Sequence, residues 1–395
     1  MISRAHFRKP HNYLAGVASE VVAPLLRACA GWWCGRPISP PEEWRRGLIL
    51  GHTKIGDVLY RTASLEALRR GLPACEWHYL AAPDSAEVLA GNPHLASVLP
   101  LCPPGESLRI AKGGWAAMGR LGFDVALCTN PESYWMDLRI PLRLRVPNRA
   151  GFVHRGLSGV VTHPVPWTRP KPWAEYFRDM VATITGQAPV WPLTPQIFPN
   201  SDDRESARRV WDKLELGRRP VMACFMSTRQ PSRVWPPDCY AQMLRQVCQD
   251  SQIEVVLAGG SSDRQMLASF ARDLGIAARV TAGDMNLRAM CCFLEKCSVV
   301  FATDSGPRHI ANAAGVPVVF IRNLYCAKIE TGVYCPNEID ISPDVERVAM
   351  AKQEAFLRQV TPEAAARAVL SAQGKGRSGP PRSTLDPWHP NTEPG

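Results

Sequence analysis

The stretch that most constrains this chain runs from Val299 to Ile321. Val299-Val300-Phe301-Ala302 is a short apolar run, the pattern of a strand buried on both faces. Asp304, Ser305 and Gly306 are turn and N-cap residues, and Pro307 stands where proline is tolerated, at the first helical position. Ala311, Ala313 and Ala314 favour helix, and Gly315 can end it. Val316–Ile321 then reads as a second buried strand. Such a turn aims backbone N–H groups and the positive end of a helix at one point, which suits a phosphate. Gly306 lets that phosphate come close to the backbone. An ordinary strand-to-helix turn looks the same, so the pattern alone fits both.

A similar unit lies near the start of the chain. Leu48–Leu50 reads as a core strand and Gly51–Gly56 as a turn. Asp57 opens a helix expected to continue through Leu59, Leu65 and Leu68 to Gly71. The glycine spacing is that of a P-loop, but Asp57-Val58 stands where Lys-Ser or Lys-Thr would be needed, which excludes that motif. Strands are expected at Glu76–Ala81, Val98–Leu101, Phe123–Cys128, Val221–Phe225 and Glu254–Ala258. Helices are expected at Ser85–Ala90, Asp203–Leu214, Asp238–Cys248, Arg288–Lys296 and Thr361–Ser371. Strands alternating with helices indicate parallel doubly wound sheets, and 395 residues suffice for two domains.

Asp-Ser-Gly-Pro-x-His-x-Ala-x-Ala-x-Gly, over Asp304–Gly315, resembles the C-terminal signature of the heptosyltransferase family, glycosyltransferase family 9. Leu48-Ile49-Leu50-Gly51-His52-Thr53-Lys54-Ile55-Gly56-Asp57-Val58-Leu59 resembles the same family's N-terminal strand and Gly-Asp-Val loop. The two blocks stand in the expected order, and the resemblance covers about residues 46–370. It implies the GT-B architecture, two Rossmann-like domains facing across a cleft, with the nucleotide sugar on the C-terminal domain and the acceptor on the N-terminal one. The implied reaction transfers heptose from an ADP-sugar to the lipopolysaccharide inner core with inversion. A related donor such as a nucleotide hexose or N-acetylhexosamine, or a non-catalytic glycan-binding protein, are the competing readings.

An inverting transfer needs a base for the acceptor hydroxyl and positive charge for the leaving diphosphate. The resemblance assigns the base to Asp57, which on residue type alone could be only an N-cap. It places the backbone of Ser305, Gly306 and Arg308 around the diphosphate, with Asp304 and His309 shaping the turn. Thr228, Arg229 and Arg233 are expected to add hydroxyl and guanidinium contacts. Asp263 falls where the family usually carries a glutamate on the donor ribose, and Arg233 near a family lysine. Arg322-Asn323 stands where the family continues with glycine after the strand. On the acceptor side the expected contacts are Lys54, Arg139, Arg143, Arg145 and Arg155. Residues 138–174 hold no acid, and guanidinium groups suit phosphate and carboxylate. A solvated basic face is the alternative, and Arg149, before an apparent Gly151-Phe152 strand, reads as structural. There is no Asp-x-Asp motif, so no metal and no cofactor are expected, with guanidinium and helix-dipole charge in place of a divalent ion.

Composition narrows the partners. Lys and Arg exceed Asp and Glu by 46 to 36, favouring an anionic partner. No zinc-finger, RNA-binding-sheet or basic-zipper pattern occurs, which argues against nucleic acid. Thirteen scattered cysteines without a Cys-x-x-Cys pair read as reduced thiols in a cytoplasmic protein. The expected partners are a nucleotide-sugar donor, an anionic glycolipid acceptor and the cytoplasmic face of the inner membrane.

The expected organisation is a basic extension with a helix and linker (1–45), an acceptor domain with the interdomain connection (46–199), a donor domain (200–345), C-terminal helices (346–372) and a disordered tail (373–395). Residues 1–11 read as basic and mobile. Asn12–Trp33 is expected as one helix with Leu14, Val17, Val21, Leu25, Cys29 and Trp32 on one stripe and Glu20 and Arg27 off it. Its charges argue against a span and its sequence against a signal peptide. It fits an interfacial helix or one packed on its own protein. Ser39–Arg46 reads as a linker.

Overall fold

The computed structural model describes residues 10–51, 54–103, 109–131, 135–190, 192–228 and 231–374. The expected mobile N-terminus, the expected disordered tail beyond 374 and Arg229 lie wholly or mainly outside these residues.

Two six-stranded sheets form the frame. The first holds β1 (Arg46–Leu50), β2 (Glu76–Leu80), β3 (Ser97–Leu99), β4 (Val125–Cys128), β5 (Asn148–Phe152) and β6 (His163–Val165). Its order is β3-β2-β1-β4-β5-β6. The second holds β7 (Val221–Phe225), β8 (Glu254–Gly259), β9 (Ala278–Ala282), β10 (Val299–Thr303), β11 (Val318–Ile321) and β12 (Glu338–Asp340), in the order β12-β11-β10-β7-β8-β9. Every strand pair is parallel. Numbered from its own first strand, each sheet therefore has the Rossmann order 3-2-1-4-5-6. The apolar runs explain this: β4, β7 and β10 are buried at every position, as strands covered by helices on both faces must be.

In such sheets ligands bind beyond the carboxyl ends of the strands, where the order reverses. Here the switch points lie between β1 and β4 and between β7 and β10. The expected single helix from Asp57 to Gly71 is two helices, Ile55–Thr62 and Leu65–Gly71. The break at Ala63-Ser64 lets Ser64 N donate to Arg61 O at 3.1 Å in a tight turn. The Pro- and Trp-rich segment expected only as a connection contains the helix Trp173–Thr185, whose Phe177, Met180 and Val181 enter the core of the first sheet.

The halves share one hydrophobic cluster. It joins Val58 and Leu59 of the first half with Ile310 and Ala311 of the second. Across a second contact Leu287 N donates to a Glu87 carboxylate oxygen and Arg288 reaches Ala90 O at 3.4 Å.

The N-terminal segment departs most from expectation. It is two helices, Pro10–Val21 and Ala23–Cys34, bent by 76°. Pro24, near the start of the second helix, has no N–H for the carbonyl of Glu20 and its ring crowds that carbonyl. The segment after it is no free linker: Ser39 N donates to Asn148 Oδ1 at 3.0 Å, and the buried Trp44 donates to Ser39 O.

Candidate active site

The helix Ile55–Thr62 starts from the end of β1, and the helix Gly306–Ala313 from the end of β10. Their first turns meet. A methyl group built on Gly56 would lie 2.5 Å from His309 Cδ2, and one on Gly306 would lie 3.5 Å from Ile55 Cγ2. Glycine at 56 is therefore required by close approach of the two halves, not by backbone conformation. The candidate base and the candidate diphosphate turn, 250 residues apart in sequence, are thus neighbours.

Asp57 is the third residue of its helix; Lys54 is the N-cap and makes no side-chain capping bond. The N-cap alternative for Asp57 therefore fails. It lies half-buried in the first turn, where the helix dipole favours its ionised form. The Tyr60 hydroxyl donates to Asp57 Oδ1 at 3.1 Å. Burial pushes the Tyr60 phenol well above its ordinary range, so it remains a donor, and a bond to the charged carboxylate favours that charge. Arg61 lies beneath. Its guanidinium is buried, donates from Nε to Thr129 Oγ1 at 2.7 Å and from Nη1 to Asp57 O, and sits 4.9 Å from the Tyr60 ring centre. Arg61 and Thr129 together place a positive charge at the β1–β4 switch point. A side chain at Gly51 would strike both.

The second turn is built differently. Ser305 is the N-cap, with extended backbone, and its Oγ donates to Thr303 O at 3.2 Å. Pro307 is the second helical residue, one later than expected. Proline has no N–H, and Arg308 N donates to Ser305 O at 3.1 Å. The Ser305 and Gly306 amides remain as candidates for an anion.

The Arg308 side chain points inward. It is 1% exposed. Nε donates to Glu338 Oε1 at 2.6 Å, Nη1 to Asp304 Oδ1 at 2.9 Å and to Thr331 O at 2.8 Å, and Nη2 to Gly332 O at 2.6 Å. Its charge lies 3.5 Å from the Phe320 ring centre. Burial acts to lower the pKa of this guanidinium, but the Glu338 and Asp304 carboxylates outweigh it and raise it. Glu338 also accepts from Asn312 Nδ2, Tyr334 N and Cys335 N. Burial acts to raise the Glu338 carboxyl, and Arg308 with these donors holds it below its usual range. Asp304 Oδ2 accepts from Asn323 N at 3.3 Å. Asp304 thus ties the turn to Arg308 and to the start of the loop after β11, and Arg308 secures it from inside.

His309 lies where the halves touch. Its Nδ1 is hydrogen-bonded to the Tyr334 hydroxyl at 2.6 Å, and its Nε2 lies 3.8 Å from Asp304 Oδ1. Burial, followed by the Arg308 charge, lowers its pKa, so the ring is neutral near pH 7.

Other candidates lie at the rim of the second sheet. Ser227 and Thr228 follow β7, both half-buried. Asp263 Oδ2 accepts from Ser227 Oγ at 2.7 Å and from Gly260 N at 2.9 Å. The expected ribose ligand is therefore already tied between the loops after β7 and β8. Arg233 ends the short 3-10 turn Pro231–Arg233. Arg322 follows β11 and is folded beneath the loop beyond β12, with Nη2 donating to Pro343 O and Val345 O.

The arginines proposed for the acceptor separate into two groups. Arg139 and Arg143 lie on the helix Trp135–Arg143. Arg143 covers the Trp115 ring at 4.1 Å and Arg145 the Trp33 ring at 4.9 Å; all three are exposed. They border the N-terminal helix pair, whose Trp33 Nε1 donates to Leu142 O at 2.8 Å. Arg155 is half-buried in the loop after β5. Arg149 is buried, with bonds to Val160 O, Val146 O, Pro147 O and Cys34 Sγ, and is structural as read.

Sequence reading missed Tyr60, Arg61, Tyr334 and Glu338. Arg61 carried a signal: a cation four residues after Asp57 among Val58, Leu59 and Tyr60, on what must be a buried helix face. Glu338 carried none, because its partner lies 30 residues away.

Residues 182–341 match the family model for glycosyltransferase family 9 (heptosyltransferase). No protein of curated function matches the chain. Among solved structures, a glycosyl transferase family 9 protein from Veillonella parvula superposes with a TM-score of 0.69 at 16% identity, covering 83% of this chain and 97% of that one. The Escherichia coli ADP-heptose lps heptosyltransferase II gives 0.64 at 17% identity, covering 83% and 98%. The E. coli heptosyltransferase WaaC, solved with ADP-2-deoxy-2-fluoro heptose, gives 0.57 at 17% identity, covering 82% and 99%. These likenesses establish the fold, the expected GT-B arrangement.

Proposed function

We propose, from the premise that the chain carries a glycosyltransferase family 9 (heptosyltransferase) domain, that it transfers a heptose from ADP-heptose to a lipopolysaccharide core or related surface glycan, with inversion. The observation that carries this reading is the meeting of the Asp57 turn with the Ser305–His309 turn. One face offers a carboxylate and the other a helix start suited to a diphosphate.

In the proposed step Asp57 takes the proton of an acceptor hydroxyl. The acceptor oxygen bonds to the anomeric carbon from the face opposite the leaving group. The bond from that carbon to the diphosphate oxygen breaks, and its electron pair leaves with the nucleoside diphosphate. The Ser305 and Gly306 amides, with the arginines Arg229 and Arg233, are assigned to the charge that develops there. Tyr60 and Arg61 position Asp57. Thr228 and Asp263 are assigned to the donor's nucleoside, and Lys54 and Arg155 to the acceptor. No metal ion takes part in this reading, which rests on the lack of an Asp-x-Asp pair in the sequence.

A second donor class, a nucleotide hexose or N-acetylhexosamine, is favoured by two specific observations. Asp263 is engaged with Ser227 and Gly260, and Arg322 replaces a small residue after β11. A titration with ADP-, UDP- and GDP-sugars separates the two.

Asp57→Asn tests the step itself. Turnover should fall ~10²–10⁴-fold, in EDTA as in buffer, with donor Kd unchanged. Turnover within a few-fold of wild type removes Asp57 from the role. Activity lost on chelation and regained with magnesium or manganese overturns the metal-free reading.

A further inference from the structure

Fourteen large hydrophobic side chains are exposed among the described residues, and seven of them lie between Leu14 and Trp33. This is a concentration, not a scatter. Leu14 is 66% exposed, Val21 77%, Leu25 64% and Trp32 83%. The helix pair is held to the protein by its other, small and polar face. Ser19 Oγ accepts from Leu157 N at 3.0 Å, and Glu20 accepts from Ser158 N at 2.9 Å and Ser158 Oγ at 2.6 Å. Gly159 packs so closely on the Ala23 backbone that a methyl there would come within 2.3 Å. Ala30 and Cys34 are buried against the same domain. The pair is thus docked with its apolar stripe outward, the reverse of a helix that completes a core.

We infer that this outward face seats the protein on an anionic lipid bilayer. Each helix has 12 residues, about 18 Å at 1.5 Å per residue, against a hydrocarbon layer of about 30 Å. With a 76° bend and one face bonded to the domain, neither helix spans; both lie in the interface. Charge decides between a bilayer and a second copy of the chain. The stripe is flanked by exposed Arg27, Arg139, Arg143 and Arg145; Arg36 is paired with Asp124, and Glu20, the acid of the helix pair itself, is bonded to Ser158. Such a flank repels its own copy and attracts anionic headgroups. Arg145 over Trp33 pairs a cation with an aromatic ring suited to headgroup depth. Arg139, Arg143 and Arg145 then act first on lipid phosphate, with the glycan arriving from the same surface. The inference does not depend on which sugar is transferred, since its test uses neither donor nor acceptor.

The test is co-sedimentation of the full-length chain with vesicles of phosphatidylethanolamine and phosphatidylglycerol, and with phosphatidylcholine alone. Wild type should pellet with the anionic vesicles. Leu25→Glu with Trp32→Glu should reduce that partition at least about 10-fold at unchanged thermal stability, because both side chains face solvent. Arg143→Gln with Arg145→Gln should weaken binding to anionic vesicles and leave the weak binding to phosphatidylcholine as it was. Wild type that stays in the supernatant, or a Leu25→Glu/Trp32→Glu variant that binds equally, overturns the inference. So does a wild-type dimer in lipid-free solution that the same double variant dissociates without any change in vesicle binding.

Discussion

The turn after β1 and the turn after β10 occupy the same topological place in two sheets of the same order, yet they are stabilised in opposite ways. After β10, the turn is fixed from below by Arg308, which is bonded to Glu338, Asp304 and two carbonyls. After β1, the buried cation is Arg61, bonded to Thr129 and to the backbone of Asp57. In the first case the carboxylates serve the arginine and hold a backbone shape. In the second the arginine supports a helix whose carboxylate is half-exposed. A candidate binding cradle and a candidate base thus arise from one topology, according to whether the buried arginine is held by carboxylates or by a hydroxyl and a backbone carbonyl.

Four experiments probe that contrast. Asp57→Asn, described above, has the largest expected effect and acts on turnover with little change in stability. Glu338→Gln should act the other way. It leaves a buried guanidinium with less countercharge, and breaking such a pair costs about 3–5 kcal/mol. Urea denaturation should show it, and a loss below about 1 kcal/mol would mean that the network does not hold the turn. Gly56→Ala comes next. The added methyl meets His309 Cδ2 at 2.5 Å, and overpacking costs about 1–3 kcal/mol. In a His309→Ala background the same methyl should cost much less, so equal costs in both backgrounds would show that the contact is not the cause.

The smallest effect is a pH dependence. The groups around His309 are Arg308, Asp304, Glu338, Asp57, Tyr60 and Tyr334. Burial and Arg308 lower its folded pKa from the ordinary 6.5. The unfolded chain therefore binds this proton more readily. Its contribution to stability is complete above pH 6.5 and is lost as the pH falls from there toward the lowered value. His309→Gln should flatten the stability slope below pH 6.5. An unchanged slope assigns it to His78, His94 and His163, which burial also lowers.

What was legible in the sequence was whatever is encoded by near neighbours. Val221–Phe225 was read with the bounds observed, and β10 within one residue, because continuous apolar runs specify buried strands. The helix opened by Thr361 was legible from its cap, and Ala364 N does donate to Thr361 Oγ1. β9 was missed: Ala278-Arg279-Val280-Thr281 alternates in polarity on the sheet's edge. The break at Ser64 and the bend at Val22 follow from local turn chemistry that helical periodicity conceals. The apolar stripe of the N-terminal pair was read correctly, but packing on the protein proved to involve the opposite face. At the candidate site, Asp57 and the Ser305–Gly306 turn were singled out through motif and resemblance. Their adjacency was not, because it arises from the docking of two domains. The division of the arginines was equally hidden, since Arg149 differs from Arg143 only in what surrounds it.

Arg308 joins the first turn of its helix to the segment Thr331–Glu338 on the far side of β11. The turn that the proposed function assigns to the diphosphate is consequently held by the protein's own side chains. A ligand that binds there does not have to order the backbone that receives it, and the amide dipoles need no reorientation as charge builds on the leaving oxygen. If the proposed function holds, preorganisation of this kind means that Glu338→Gln should slow transfer and loosen the donor together, through a residue assigned to neither.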